Sequence, residues 1–225
     1  MNDFWITLLI SFKLAFLTTI ILFIIGLPVA YILSFKEFKF KSVVEALTTL
    51  PLVLPPTVLG FYYLIAFSPD SVIGKFVDKL FGIKLVFSFE GILLASIIYS
   101  FPFMTQPLMS GFRSFPKNII EAAYTLGKSK LETLFRVILP NIKSSVLTAI
   151  TLTFAHTIGE FGVVLMVGGS IPGETKVASI AIYEEVESLN YHEAHKYALI
   201  LLLISLFTLI TLNLINKKLD YGTYK

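Results

Sequence analysis

The chain has 225 residues, of which 56% are hydrophobic and 15% charged, and its mean hydropathy is +0.82. A soluble domain has far fewer apolar residues, so the composition predicts a membrane protein. The absence of cysteine excludes a disulfide framework, a thiol nucleophile and a thiolate metal site. The net charge of +3 gives no indication of nucleic-acid binding, and no nucleic-acid partner is expected. No internal repeat, linker or low-complexity tract interrupts the sequence, so residues 1–225 are predicted to form one domain.

Five apolar segments are long enough to cross about 30 Å of hydrocarbon, which takes roughly 20 helical residues each. Lipid cannot satisfy free backbone N–H and C=O groups, so each segment is expected to be helical. The sequence therefore predicts an all-α membrane protein with five transmembrane helices. The predicted spans cover residues 4–35, 43–67, 89–112, 144–167 and 197–216.

Basic residues predict the orientation of these spans. Three lie in the loop 36–41, six in the stretch 113–143 and three in the tail, whereas the loops on the other side carry four. Because cytoplasmic loops are enriched in Lys and Arg, we expect the N-terminus outside and the C-terminus in the cytoplasm. The first span lacks a basic start and a small-residue cleavage site, so it is not expected to be a signal peptide.

The second span contains Pro51, Pro55 and Pro56, followed by Thr57. Each proline removes a backbone donor and clashes with the carbonyl four residues before it. Backbone freed in this way is tolerated at membrane depth only beside protein or a water-filled cavity. A hinged helix that lines a pathway and a simple structural kink both remain open. Prolines also predict a bent third span, through Pro102 and Pro107, and a kink at Pro28.

The fourth span carries His156 and Glu160, four residues apart, so they are predicted to share one helical face. An ionisable residue at this depth costs at least about 2.5 kcal/mol and usually faces a bundle interior or a cavity. The two residues either line a translocation route or form a polar pair that fixes helix packing. Beyond this span, residues 168–173 are typical of a turn, and residues 174–190 and 71–80 predict two short outer helices.

Two apparent motifs are rejected. Gly127-Lys128-Ser129 lacks the first glycine and the preceding strand of a phosphate-binding loop, so the chain is not expected to hydrolyse ATP. The pair His192 and His195 is one residue short of the zinc-protease spacing, and no third ligand is evident. We therefore expect neither a catalytic residue nor a metal site.

The cytoplasmic loop 113–143 is polar and helix-forming. It contains Glu121-Ala122-Ala123, Gly127 and Leu139-Pro140. A short helix near residues 119–126 is predicted to end at Gly127, where glycine tolerates a positive φ, and a second helix over 130–137 is predicted to stop at Pro140. The small side chains of Ala122 and Ala123 are expected to allow close approach by a partner, although a merely amphipathic surface helix is the alternative.

This spacing resembles the Glu-Ala-Ala loop of ABC importer permeases, except that Val137 stands where the family has isoleucine. Residues 50–60 are similar to the second span of molybdate and sulfate permeases, and so is Gly159-Glu160-Phe161-Gly162. Residues 163–175 and 154–157 resemble the molybdate branch in particular. The resemblance extends from about residue 18 to residue 215.

The resemblance implies a type I ABC importer permease fold in the plasma membrane of a prokaryote. It implies a non-catalytic subunit for molybdate, whose docking loop contacts an ATPase through Glu121, Ala122, Ala123, Gly127, Leu139 and Pro140. The implied partners are a second copy of the chain, two cytoplasmic ATPases that bind ATP and Mg²⁺, an extracytoplasmic oxyanion-binding protein and membrane lipid. No cofactor is implied in this chain. Pathway or gate candidates are Pro51, Pro55, Pro56, Thr57, His156 and Glu160.

Other substrates and other classes stay open at this stage. The same machine for tungstate, sulfate or thiosulfate is the nearest alternative. A channel or secondary transporter that works without ATP is a second class, although such transporters commonly show internal repeats. An intramembrane enzyme is a third, but no acid–base or metal set is assembled in the sequence.

Overall fold

A computed structural model describes residues 2–221, and its regular structure is helical. The helices are α1 (Asn2–Phe35), α2 (Lys41–Val53), α3 (Pro56–Phe67), α4 (Val72–Phe81), α5 (Phe89–Ser114), α6 (Lys117–Thr125), α7 (Lys130–Thr133), α8 (Leu139–Asn141), α9 (Lys143–Ile158), α10 (Gly162–Gly168), α11 (Ala178–Glu187) and α12 (Tyr191–Tyr221). A π-helical turn, Leu134–Ile138, joins α7 to α8. The all-α prediction is confirmed.

The described residues contain three helices that are long and apolar enough to cross a membrane, namely α1, α5 and α12. Two further spans are present if each bent pair of helices counts as one. In the first pair α2 meets α3 at 114°, and in the second the segment Lys130–Asn141 meets α9 at 80°. The first, third and fifth predicted spans thus correspond to α1, α5 and α12, and the second is broken between α2 and α3. The fourth begins with α9, which a sharp bend separates from the loop segment before it.

The break between α2 and α3 follows from two consecutive prolines. A residue that precedes proline is pushed out of the α region, because the proline ring crowds its backbone. Leu54 and Pro55 both precede a proline, and both are extended, with ψ of 139° and 138°. Pro56 then occupies the first turn of α3, where its missing N–H costs nothing. Pro51 is accommodated inside α2 and is buried.

The predicted fourth span is not one helix, so that prediction is wrong in its continuity. α9 ends at Ile158, and α10 starts only at Gly162. With 16 residues at 1.5 Å each, α9 is about 24 Å long, less than the hydrocarbon thickness. α5 runs without interruption through Pro102 and Pro107, and the bend predicted for the third span stays a prediction.

The core lies where α1, α5 and α9 pack together, with Phe112, Leu108 and Met104 of α5 at its centre. α10 packs against α3 and α5, and α11 packs against α12 and α1. At the end of α5, Arg113 binds Glu45 of α2 with an N–O distance of 2.6 Å. α12 is different, since only 6% of its most apolar window is buried within this chain. Its apolar surface is therefore left for lipid or for another protein.

Both short helices predicted for the outer side are present, and their side of the membrane stays a prediction. α4 begins after Ser71, whose hydroxyl oxygen accepts a hydrogen bond from the Gly74 N–H at 2.8 Å. This is the usual N-cap interaction, which satisfies one of the free donors at a helix start. α11 occupies the centre of the stretch 174–190 and is held to α1, because the Ala178 N–H donates to Ser11 Oγ at 2.7 Å.

Candidate functional site

The loop between α5 and α9 folds as two helical arms. Pro116 separates α5 from α6, and α6 ends just before Gly127, whose φ is +78°. The Gly127 N–H donates to the Tyr124 carbonyl at 2.9 Å, and the Lys128 N–H donates to the Ala123 carbonyl at 3.1 Å. These bonds cap the free carbonyls of α6 as a left-handed glycine commonly does. The turn predicted at Gly127 is confirmed.

The second arm, Lys130–Asn141, departs from its prediction. It was expected to stop at Pro140, but the helix continues through Leu139–Asn141. Pro140 cannot donate a hydrogen bond, and its ring crowds the carbonyl four residues before it. The preceding π-helical turn relieves this crowding, because the Leu139 N–H reaches the Leu134 carbonyl five residues back. The bend to α9 comes after Asn141.

The predicted docking residues differ in how far their side chains are exposed to solvent. Glu121, Ala122, Gly127 and Pro140 are exposed and Leu139 is half-buried. Ala123 is only 5% exposed and faces the interior of the chain itself. The expectation that Ala123 offers close approach to a partner is therefore wrong, and its small side chain serves packing within the chain. Whether the other five contact an ATPase stays a prediction.

The structure adds two apolar residues to this surface. Leu126 is 79% exposed and lies beside the Gly127 turn, and Ile119 is 42% exposed near the start of α6. Single exposed apolar side chains are common on protein surfaces, so these two extend the predicted docking surface without establishing it. The signal in the sequence is their position as large aliphatic residues in an otherwise polar loop.

The break between α2 and α3 lies against the break between α9 and α10. A Cβ placed on Gly162, at the start of α10, would lie 2.9 Å from Pro56 Cβ at the start of α3. Carbon atoms in contact normally stay about 3.5–4.0 Å apart, so only glycine fits without a shift. The first turns of α3 and α10 are thus closely packed against each other.

A cavity of about 350 Å³ opens at this junction. It is lined by Pro56, Thr57, Tyr99, His156, Gly159, Glu160, Phe161 and Gly162. Four of the six predicted pathway or gate residues therefore come together. The other two do not reach it, since Pro51 is buried in α2 and Pro55 is exposed at the break. A role of this cavity in transport stays a prediction.

His156 is directed toward α5. Thr157 Oγ1 donates to the Thr153 carbonyl at 2.9 Å, so the Ser100 hydroxyl donates to Thr157 Oγ1, also at 2.9 Å. Ser100 Oγ is then left to accept from His156 Nδ1–H at 3.0 Å, which assigns the tautomer from the network. The imidazole also stacks on Phe103, with ring centroids 3.8 Å apart. These contacts fix its orientation.

Glu160 lies outside α9, in the break, and does not share a helical face with His156. The predicted polar pair is therefore wrong. Glu160 is 5% exposed, and neither of its carboxyl oxygens has a hydrogen-bond partner of good geometry within residues 2–221, although the buried Ser96 hydroxyl lies close enough to interact with it. A buried polar group without a partner is rare and calls for an explanation. Its backbone carbonyl is held instead, by a hydrogen bond of 2.5 Å from Ser179 Oγ of α11.

α11 is tied to its preceding loop by an ion pair. Lys176 Nζ lies 2.5 Å from Glu184 Oε2. Partial burial alone would raise the pKa of Glu184, but the hydrogen bond from Lys176, the nearby Ser170 hydroxyl and the positive charge of Lys176 together outweigh this effect and lower the pKa. α11 thus connects the Lys176–Glu184 ion pair to the backbone of the break at Glu160.

The packing at the junction predicts the outcome of two matched substitutions. Gly162→Ala places a methyl group against Pro56 and is expected to lower stability by about 1–3 kcal/mol. Gly159→Ala is the control, because a Cβ there meets nothing closer than 3.9 Å. Thermal unfolding of both variants in detergent measures the difference. Equal melting temperatures would show that the contact between the broken spans is not tight.

Broken spans that meet around a cavity at membrane depth are characteristic of transport proteins, because irregular backbone is tolerated there only beside protein or water. The fold and the cavity therefore define a helical membrane transport subunit. A model of the family described as "Binding-protein-dependent transport system inner membrane component" matches residues 23–221. The chain belongs to this family, and it is accordingly a multi-pass protein of the plasma membrane.

Two relatives align with nearly the whole chain. The molybdenum transport system permease protein ModB of Azotobacter vinelandii is 41% identical over 203 residues, which cover 90% of each chain. The probable sulfate transport system permease protein cysT of Chlorella vulgaris is 34% identical over 205 residues, or 91% of this chain and 77% of the relative.

Solved structures share the fold. A chain of the bacterial ABC transporter involved in the import of alginate superposes with a TM-score of 0.79 at 15% identity, covering 97% of this chain and 80% of that one. The same alginate transporter in complex with an alginate pentasaccharide-bound periplasmic protein gives a TM-score of 0.76 at the same identity and coverage. The type I ABC importer permease fold predicted from the sequence is confirmed.

Proposed function

We propose that this chain forms the transmembrane pathway of an ATP-driven importer of molybdate. The observation that carries the proposal is the 41% identity to a molybdenum permease across 90% of both chains. Substrate preference in such a machine is shared with an external binding protein, so the permease needs only to pass the oxyanion. A tight site in the channel would slow release, and weak binding is therefore expected there.

The proposed assembly contains two copies of the chain, two cytoplasmic ATPases that bind ATP and Mg²⁺, and one extracytoplasmic oxyanion-binding protein. The exposed docking surface, formed by Ile119, Glu121, Ala122, Leu126 and Gly127, supports an ATPase partner. The largely unburied α12 leaves ample surface for a second copy or lipid. The excess of basic residues in loops 36–41 and 113–143 supports an external N-terminus and a cytoplasmic C-terminus.

In the proposed mechanism, ATP binding brings the two docking loops together. α6 is connected to α5 across Pro116, and the second arm is connected to α9 across the bend of 80°. Movement of the loop is thereby transmitted to two helices of the core. Thr57 borders the cavity at the junction and offers a hydroxyl donor to a passing oxyanion, while His156, whose Nδ1–H is bound to Ser100, forms part of the cavity wall.

Uptake by the reconstituted complex tests this proposal. The chain is co-purified with its candidate ATPase and binding protein, placed in vesicles, and supplied with labelled molybdate. We expect labelled molybdate to accumulate only when ATP is present. Unlabelled molybdate and tungstate should inhibit this uptake at much lower concentrations than sulfate does. Tungstate is nearly isosteric with molybdate, and competition between these two decides which is preferred.

The relationship to a sulfate permease favours sulfate as the second candidate. Suppression by sulfate or thiosulfate at lower concentration than molybdate would assign the chain to that substrate class. Concentrative uptake by the purified chain without any ATPase would contradict the ATP-driven mechanism altogether and would indicate a secondary transporter.

A further inference from the structure

A groove of about 580 Å³ runs between the second half of α1 and the second arm of the docking loop. Its size is within the range of ordinary ligand sites, roughly 300–1,000 Å³. The α1 wall includes Ile24 and Ile32, and the opposite wall includes Leu131 and Phe135. The groove is separate from the junction cavity, because the two share no lining residue.

The walls of this groove are apolar and uncovered. Ile24 is 65% exposed, Leu131 is 70% exposed and Phe135 is 57% exposed. Exposed apolar side chains in this number mark a surface that binds another molecule or lipid. The groove begins on a membrane span and ends at the docking loop, so its apolar part lies along the lipid and its far end reaches the interface.

The polar end of the groove is positively charged. Lys36 follows the last residue of α1 and Lys130 starts α7, and both are exposed and line the groove. No acidic side chain is among the residues that line it in the described part of the chain. An ATPase surface or a second copy would need an acidic element to match these lysines, whereas the lipid interface supplies phosphate at the required depth.

We propose that this groove binds one anionic phospholipid of the cytoplasmic leaflet, with the phosphate between Lys36 and Lys130 and an acyl chain along Ile24 and Ile32. This proposal rests on the topology given under the proposed function, which puts Lys36 on the cytoplasmic side. Basic pockets beside cytoplasmic ends of spans attract anionic headgroups, and the inner leaflet carries negative charge. Such a lipid connects α1 directly to the arm that transmits docking to α9.

Native mass spectrometry of the complete transporter tests the site. The complex is reconstituted in nanodiscs of phosphatidylcholine with phosphatidylglycerol, and the phosphatidylglycerol retained on the permease is quantified. Lys36→Gln with Lys130→Gln should lower its retention about thirtyfold, which corresponds to about 1 kcal/mol for each basic residue. Lys143→Gln is the matched control, because this exposed lysine of the same loop does not line the groove. Equal retention in the double variant and the control would overturn the proposal.

A second variant tests whether the groove is occupied while both lysines are kept. Ile32→Trp fills the groove and keeps both lysines, so it should also reduce lipid retention. A photo-crosslinker at position 135 should form adducts with phosphatidylglycerol; adducts mainly with the ATPase or a second copy would instead assign the groove to a protein. Molybdate uptake is measured in the same preparations. Uptake without lipid retention rejects only the lipid site, whereas absent uptake with retained lipid rejects the proposed function.

Discussion

Ala122→Trp is expected to abolish co-purification of the ATPase while the permease itself still folds. Ala122 is exposed on α6 beside the Gly127 turn, so a large side chain there adds no strain within the chain. It would, however, hold a docked partner away from the helix. Loss of a central interface contact costs about 2 kcal/mol or more, which is roughly a thirtyfold loss of affinity. Pull-down of the ATPase and ATP-dependent uptake measure this effect.

The neighbouring alanine provides the control. Ala123 is 5% exposed, so Ala123→Trp should overpack the interior and lower the melting temperature of the isolated permease. The two variants therefore separate loss of docking from loss of folding at adjacent positions. Normal ATPase recovery with Ala122→Trp would contradict the assignment of α6 as the docking surface, whatever Ala123→Trp does.

Glu160→Gln is expected to lower uptake about tenfold to a hundredfold without disturbing assembly. The carboxyl oxygens are buried and lack partners in this conformation, so the group has no packing role that an amide of equal size would lose. We expect the carboxyl to acquire its partner in another state of the transport cycle. A hydrogen bond to a charged group contributes about 1.5–3 kcal/mol, which sets the size of the effect.

Glu90→Gln serves as the reference for this measurement, because Glu90 is exposed in the first turn of α5 and lies outside the cavity. Its uptake should equal that of the unchanged protein. Both variants are first checked for ATPase recovery. If Glu160→Gln transports at the reference rate, the carboxyl has no part in the cycle and the junction cavity loses its strongest functional residue.

Much of the architecture could be predicted from local chemistry. Proline pairs and glycine act through neighbouring backbone, so the interruption at Pro55 and Pro56 and the turn at Gly127 were visible in the sequence. Apolar length identified the three uninterrupted spans α1, α5 and α12, but not the end of the fourth. The loop motif was also local, since its spacing extends over some twenty residues of one segment.

Features that depend on distant contacts were harder to predict. The end of α9 at Ile158 has no proline, and Gly159 alone does not determine whether a helix stops or continues. The direction of His156 depends on Ser100, which is 56 residues away, and the burial of Ala123 depends on how its helix packs. Pro140 was misjudged for another reason, because a π-helical turn absorbs its strain.

The close contact of Pro56 with Gly162 has a mechanical consequence. Pro56 lies against the backbone of Gly162, so straightening the α2–α3 break would press its ring into the start of α10. We therefore expect the two breaks to move together during transport, and the cavity beside them to widen or narrow with that movement. Cross-linking the two breaks should then leave the cycle running, whereas cross-linking either one to α5 should arrest it.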